Sequence, residues 1–159
     1  MGLLEDPCGF LTEPVLAPLM YSTGQPVMRG DVQLLYYVER CGFIASAAGG
    51  KVIWIQPLYP DSLTDAVLKG LARVGHPSIT DLASIPAFAR SIFPPNGRYL
   101  KPALKHDHGY ASAGYEGRAS RAQVDAELLA DMKAVGCSFI ERQAIYRAVR
   151  LGGGAGFGH

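Results

Sequence analysis

Apolar and polar positions change their rhythm near the middle of the chain. In the first half the apolar residues come in short runs bounded by turn formers. Residues 32–38 (VQLLYYV) and 51–58 (KVIWIQPL) are set apart by Gly42, Gly49 and Gly50. Runs of this length between glycines predict strands. Asp65–Val74 (DAVLKGLARV) carries apolar residues at helical spacing, interrupted by Gly70, and predicts one short helix.

Beyond Ser84 the punctuation is that of helices. Ser84 followed by Ile85 and Pro86 predicts an N-cap with proline in the first turn. The next helix is expected to open at Pro102 and to carry LKHDHGY. Ser120 with Gln123, and Ser138 with Glu141, both fit the S-x-x-E/Q capping box, while Gly136 and Gly152 stand where helix C-terminal glycines belong. Two antiparallel helices joined by a tight Gly136-Cys137-Ser138 turn follow from this. The expected fold class is α+β, with a strand-rich part over residues 1–75, a helical part over 76–152 containing the antiparallel pair, and a flexible glycine-rich tail over 153–159.

Composition narrows the class further. A 159-residue chain with 48% hydrophobic residues and a formal charge of +1 is neither a disordered segment nor a polyelectrolyte that wraps nucleic acid by charge, and no specific nucleic-acid motif is present. Cys8, Cys41 and Cys137 lie far apart without a C-x-x-C pair, which argues against a disulfide scaffold or a cysteine zinc site. No run approaches the roughly 18 apolar residues of a membrane span, and acidic Glu5 and Asp6 stand where a signal peptide is basic. The chain therefore reads as soluble. Its charge is uneven, −4 over residues 1–68 and +5 over 69–159, which permits an anionic partner such as phospholipid or nucleic acid at the C-terminal half; the bland reading is a solvated helical surface with extra arginines.

The candidate chemistry lies in His106-Asp107-His108-Gly109-Tyr110 and in Asp125 on the following helix. Positions four apart share a helix face, so His106 and Tyr110 point the same way and Asp107 is turned about 100° from His106. If the two helices pack antiparallel, Asp125 reaches His106 and Tyr110. A carboxylate on one ring nitrogen fixes the tautomer and leaves the other nitrogen as a base, with Asp107 available to a hard cation. The bland reading of the same residues is a buried network that fastens two helices. The arginines at 118, 121, 142, 147 and 150 read as a solvated face, His108 as lying opposite His106, and Gly109 as a point of close approach or a frayed end. A phosphohydrolase reading on His76, His106-Asp107 and Asp131 fails because His76 stands between Gly75 and Pro77, away from any helix.

The H-D-x-x-Y motif with its later Asp resembles the catalytic helices of calcium-dependent phospholipases of the A2 class. That resemblance implies His106 as the base that activates water, Asp107 as a calcium ligand, and Tyr110 and Asp125 as hydrogen-bonded support. The glycine-rich calcium loop of that class is replaced here by Phe93-Pro94-Pro95-Asn96-Gly97-Arg98-Tyr99. A second resemblance runs from residue 80 to 152: Thr80-Asp81-Leu82-Ala83-Ser84-Ile85-Pro86, the His106-Asp107 helix, Ser120-Arg121 with Asp125, and Tyr146-Arg147-Ala148-Val149-Arg150-Leu151-Gly152. This series is similar to a family of short tailed-phage and prophage proteins known as a domain of unknown function. It implies a phage source and adds Asp81, either as a second metal ligand or as a helix cap. Together the resemblances imply a phage-encoded, metal-assisted ester hydrolase acting on the host envelope, with calcium as cofactor and phospholipid as partner. The alternative is a non-catalytic virion or tail-associated component that binds other phage structural proteins.

Overall fold

The computed structural model describes residues 6–30, 32–56, 63–74, 79–80, 99–152 and 157–158. The expected cap at Ser84, the turn at 93–98, Asp81, His76 and His159 lie outside them. The chain is α+β, with small antiparallel sheets first and helices after. Strands β1 (Leu16–Pro18), β4 (Leu35–Tyr37) and β7 (Ile79–Thr80) form one sheet in the order β1-β4-β7. Strands β2 (Met28–Arg29) and β3 (Val32–Gln33) pair with each other, as do β5 (Cys41–Ala47) and β6 (Gly50–Gln56). The apolar run at 32–38 is thus two strands rather than one, broken at Leu34. The Leu34 amide donates to Val27 at 2.9 Å and its carbonyl accepts from Leu19, also at 2.9 Å, so its backbone bonds are spent outside the run's own pairing.

The β5–β6 hairpin turns at Ala48-Gly49, with Ala47 opposite Gly50 and left-handed backbone at Gly49 (φ 82°) that suits glycine. Side chains alternate about the hairpin: Cys41, Phe43, Ala45 and Val52 are buried, while Ile53 and Ile55 face outward. The inner face packs on helix α2 (Leu100–Ala111) through a core of Phe10, Tyr37, Phe43, Leu104, Tyr110, Tyr115 and Val124. A second core of Leu128, Met132, Ile145 and Val149 holds α3 (Arg121–Ala134) to α4 (Phe139–Gly152). A third gathers Leu19, Val27, Leu34 and Ile79 under α1 (Asp65–Val74), which contributes Leu68. No helix among the described residues is long and apolar enough to cross a membrane.

Helix α2 opens at Leu100, two residues before the expected Pro102. Proline is tolerated there because amide groups of the first turn have no intrahelical acceptor. Between α2 and α3 the chain makes a left-handed turn: Ala113, Gly114, Tyr115, Glu116 and Gly117 all have φ between 52° and 86°. Left-handed backbone costs a non-glycine residue about 1–2 kcal/mol. Here Ser112 Oγ accepts from the Tyr115 amide at 2.8 Å, the Ala119 amide donates to Gly114 O at 2.8 Å, and the buried Tyr115 ring fills the first core. Gly114 is required, since a Cβ would stand 1.7 Å from Ala119 O.

Gly109 marks a close approach and not a frayed end. A Cβ there would lie 2.6 Å from Val124 Cγ1 and 3.1 Å from Tyr115 Oη. Alanine gains about 1 kcal/mol of helix propensity over glycine, while overpacking a tight core costs about 1–3 kcal/mol. Gly109→Ala is therefore expected to lower the urea unfolding midpoint; a raised midpoint would show that α3 can yield.

Candidate functional site

The site forms where α2 crosses α3. Ser120 caps α3 by the predicted capping box: its Oγ accepts from the Gln123 amide at 3.1 Å, and Gln123 Oε1 accepts from the Ser120 amide at 2.7 Å. That fixes the rotation of the first turns and sends Asp125 toward α2. His106 and Tyr110, four residues apart, meet at a tilt of 39° with ring centroids 4.3 Å apart. His106 Nε2 lies 2.7 Å from Asp125 Oδ1, and Tyr110 Oη donates to that same oxygen at 2.7 Å. The structure thus brings His106, Tyr110 and Asp125 into one buried cluster.

Two arginines complete it, in place of the solvated face that their helical positions suggest. Arg150 Nη1 donates to Asp125 Oδ2 at 2.7 Å from α4. Arg121 Nε donates to Tyr110 Oη at 3.0 Å, stands 3.8 Å from Asp125 Oδ2, and sends Nη2 to the carbonyls of Val149 and Arg150 at 2.7 and 2.8 Å. The spacing of Arg121 and Asp125, one helix turn apart, is a signal for the 3.8 Å contact between those two. Nothing local pointed to Arg150, which arrives from another helix.

Asp125 is 0% exposed, and burial alone would raise its carboxyl. The bonds from His106, Tyr110 and Arg150 outweigh that, holding it below the ordinary value of 3.8 and therefore ionised. Burial, with the Asp125 carboxylate beside it, pushes the Tyr110 hydroxyl up to about 12, so it stays a donor. An ionised acceptor at Nε2 draws the ring proton of His106 to that nitrogen. His106 Nδ1 is then the lone-pair side, and it is buried with no hydrogen-bond partner among the described residues.

Asp107 faces elsewhere, as its position on the helix implies. It is half-buried, and its Oδ2 accepts from Thr80 Oγ1 of β7 at 2.9 Å. Calcium takes about six to eight oxygen ligands. Among the described residues no group of three or more His, Cys, Asp or Glu is placed to hold a metal ion. Asp81 lies outside the described residues.

His108 belongs to the core. It shares a 2.5 Å hydrogen bond with Tyr37 Oη and stacks near Phe43. Burial pushes its imidazole down to about 3, from an ordinary 6.5. Below pH 6.5 an unfolded chain takes up a proton that the folded ring refuses, so this stability is whole above 6.5 and is lost as pH falls toward 3. Urea midpoints measured from pH 7.5 to 4 are expected to fall less steeply in His108→Gln than in the wild type. Parallel curves would contradict a neutral, buried His108.

The end of the chain returns to this region. The Gly158 amide donates to Tyr110 O at 2.7 Å, and the Phe157 ring meets the Tyr110 ring edge-on with centroids 5.3 Å apart.

Residues 63–149 match a family described as a protein of unknown function (DUF1353). The matched stretch begins upstream of the expected residue 80, taking in α1, and contains Asp81, His106, Asp107, Tyr110 and Asp125. No curated protein and no solved structure matches the chain.

Proposed function

We propose, for a chain that belongs to the DUF1353 family of proteins of unknown function, a water-activating ester hydrolase in which His106 is the general base. The observation that carries this reading is the asymmetry of one imidazole: Nε2 is bonded to Asp125 at 2.7 Å, and Nδ1 is buried with no partner among the described residues. A base needs a free lone pair and something to hold the charge it acquires. Nδ1 has the lone pair. As it takes a proton from water, the ring becomes a cation whose Nε2–H still points at the Asp125 carboxylate. Tyr110 and Arg150 keep that carboxylate ionised and in place. Tyr110 and Asp125 are thus positioning residues for His106.

The substrate class we propose is the carboxylic ester of a phospholipid, in the envelope of a phage host. Two features favour an anionic lipid surface. Residues 69–159 carry a charge of +5. On α4, Ile140 (78% exposed), Arg147 and Leu151 (90% exposed) fall on one helical face, an apolar and cationic combination suited to a headgroup layer. Calcium at Asp107, with Asp81, is the proposed cofactor of the phospholipase resemblance. Because the described donors do not complete its shell, no step here is routed through a metal.

A second reading rests on a different observation. Asp125 is completely buried and bonded by residues of α2 and α4, the contact pattern of a fastener between helices in a non-catalytic virion or tail component. Mass spectrometry of bacterial phospholipid vesicles incubated with the folded chain separates the two, with calcium and with chelator. Release of free fatty acid and lysophospholipid is the expected result, and its need for calcium decides the role of Asp107. A folded chain that releases neither product in any condition overturns the hydrolase reading in favour of the fastener.

A further inference from the structure

A general base must be met by water and ester, yet His106 is 2% exposed and Tyr110 beside it 4%. For the imidazole to act on a phospholipid, some part of its enclosure has to move. The helices around it are firmly tied. Asp125 of α3 accepts from His106 and Tyr110 of α2 and from Arg150 of α4, and Arg121 of α3 reaches the Val149 and Arg150 carbonyls of α4 at 2.7 and 2.8 Å. Bonds to ionised groups are about twice as strong as neutral ones, and parting these helices strips a buried charge of its partners.

Phe157-Gly158 is held in a different way. The Gly158 amide donates to Tyr110 O at 2.7 Å, and the Phe157 ring meets the Tyr110 ring at 85° with centroids 5.3 Å apart. One neutral hydrogen bond and one ring contact are thus its polar and aromatic ties. Gly153-Gly154-Ala155-Gly156, which join it to α4, carry almost no side-chain atoms that could add to them. The docked form is nonetheless a particular one. Gly158 has left-handed backbone (φ 82°), which glycine adopts at no steric cost, and a Cβ there would already touch the Ala113 Cβ at 3.4 Å. Tyr110 connects this segment to the base, since its ring touches both Phe157 and the imidazole of His106.

We propose that Phe157-Gly158 is a strap that holds the site closed, and that its release is the step that admits substrate to His106. The inference rests on His106 being the base and names how that site is regulated. With the strap down, Phe157 packs the Tyr110 ring in place against the imidazole. With the strap lifted, the ring is free to tilt about its hydroxyl, which stays on Asp125, and to uncover Nδ1. A segment held by few neutral contacts opens far more often than the fold as a whole, so the strap lifts while α2, α3 and α4 keep the cluster assembled.

The test is acylation of the full chain by diethyl pyrocarbonate at pH 7, each histidine being followed by peptide mass spectrometry. The reagent takes the imidazole lone pair, here Nδ1 of His106, in proportion to the population of the open form. Gly158→Pro removes the amide donor and fixes φ at about −65° in place of 82°. His106 is expected to react slowly in the wild type and at least roughly fivefold faster in Gly158→Pro, the effect of losing one hydrogen bond. Phe157→Ala, which leaves the backbone unchanged, is expected to act in the same direction and decides the matter if Gly158→Pro fails to fold. His108, buried and bonded to Tyr37, reports general opening and is expected to stay unmodified throughout. An unchanged His106 rate in the folded variants, or His106 and His108 reacting together, overturns the strap. Fatty-acid release from phospholipid vesicles, measured beside it, is expected to rise in both variants. If Gly158→Pro exposes His106 alone and no fatty acid appears, the hydrolase reading falls and the strap stands.

Discussion

Asp125→Ala is expected to cost the fold about 3–5 kcal/mol, the penalty for removing one partner from a buried charge network. The carboxylate is the shared acceptor of His106, Tyr110 and Arg150, each at 2.7 Å, and alanine leaves those donors facing an apolar gap. Three helices meet at this group, so the loss appears in global unfolding and not in a local fraying. Urea denaturation at pH 7.5 measures it directly. The sign with pH is fixed as well. The folded carboxyl lies below its ordinary 3.8, so its contribution is present above that value and is lost as pH falls through the lower, folded one. The gap between wild type and variant therefore closes in acid. A loss under about 1 kcal/mol at neutral pH, the scale of a surface ion pair, would show that the network is decorative.

His106→Gln separates chemistry from fastening. Glutamine can present an amide N–H to Asp125 Oδ1 from nearly the place of Nε2, so the cluster keeps its donor. It has no basic nitrogen to replace Nδ1. The expected result is a loss of fatty-acid release of roughly 10²–10⁴-fold, the usual contribution of a positioned general base. The unfolding midpoint is expected to stay within the range of a conservative change. A variant that unfolds as readily as Asp125→Ala while retaining its activity would reverse the assignment and make His106 a structural residue.

The helical half could be read in advance because its cues are local. Ser120 with Gln123 and Ser138 with Glu141 are short-range hydrogen-bonding patterns, and both boxes form. With the start of α3 fixed, the facing of Asp125 follows from the helical repeat alone. Asp65–Val74 was visible by the same periodicity. The strand half resisted for the opposite reason. Strands of two or three residues such as β2, β3 and β7 are held by distant pairing, Leu35 with Thr80 for example, and carry no repeat of their own. The β5 strand passed unnoticed because Gly42 and small Ala and Ser residues interrupt its apolar pattern. Its inner residues are nonetheless the floor on which α2 lies.

Charged residues showed the limit most clearly. Arg150 lies 25 positions from Asp125, and only the turn at Gly136, with φ 90°, brings α4 back to place the guanidinium there. Lys105 is held in the same distant way, donating to Cys8 O at 2.7 Å from 97 positions along the chain. The left-handed turn at 113–117 runs against the preference of three of its five residues, and only Gly114 and Gly117 hinted at it.

The central claim is that Asp125 holds the single ring proton of His106 on Nε2 and leaves Nδ1 as the base. Nitrogen-15 NMR of the imidazole side chains at pH 8 reads that tautomer without reference to any substrate. The account predicts a pyrrole-like Nε2 coupled to its proton and a pyridine-like Nδ1, a pattern that Asp125→Asn relaxes toward a mixture. A proton found on Nδ1 in the wild type, with Nε2 bare toward Asp125, would contradict it.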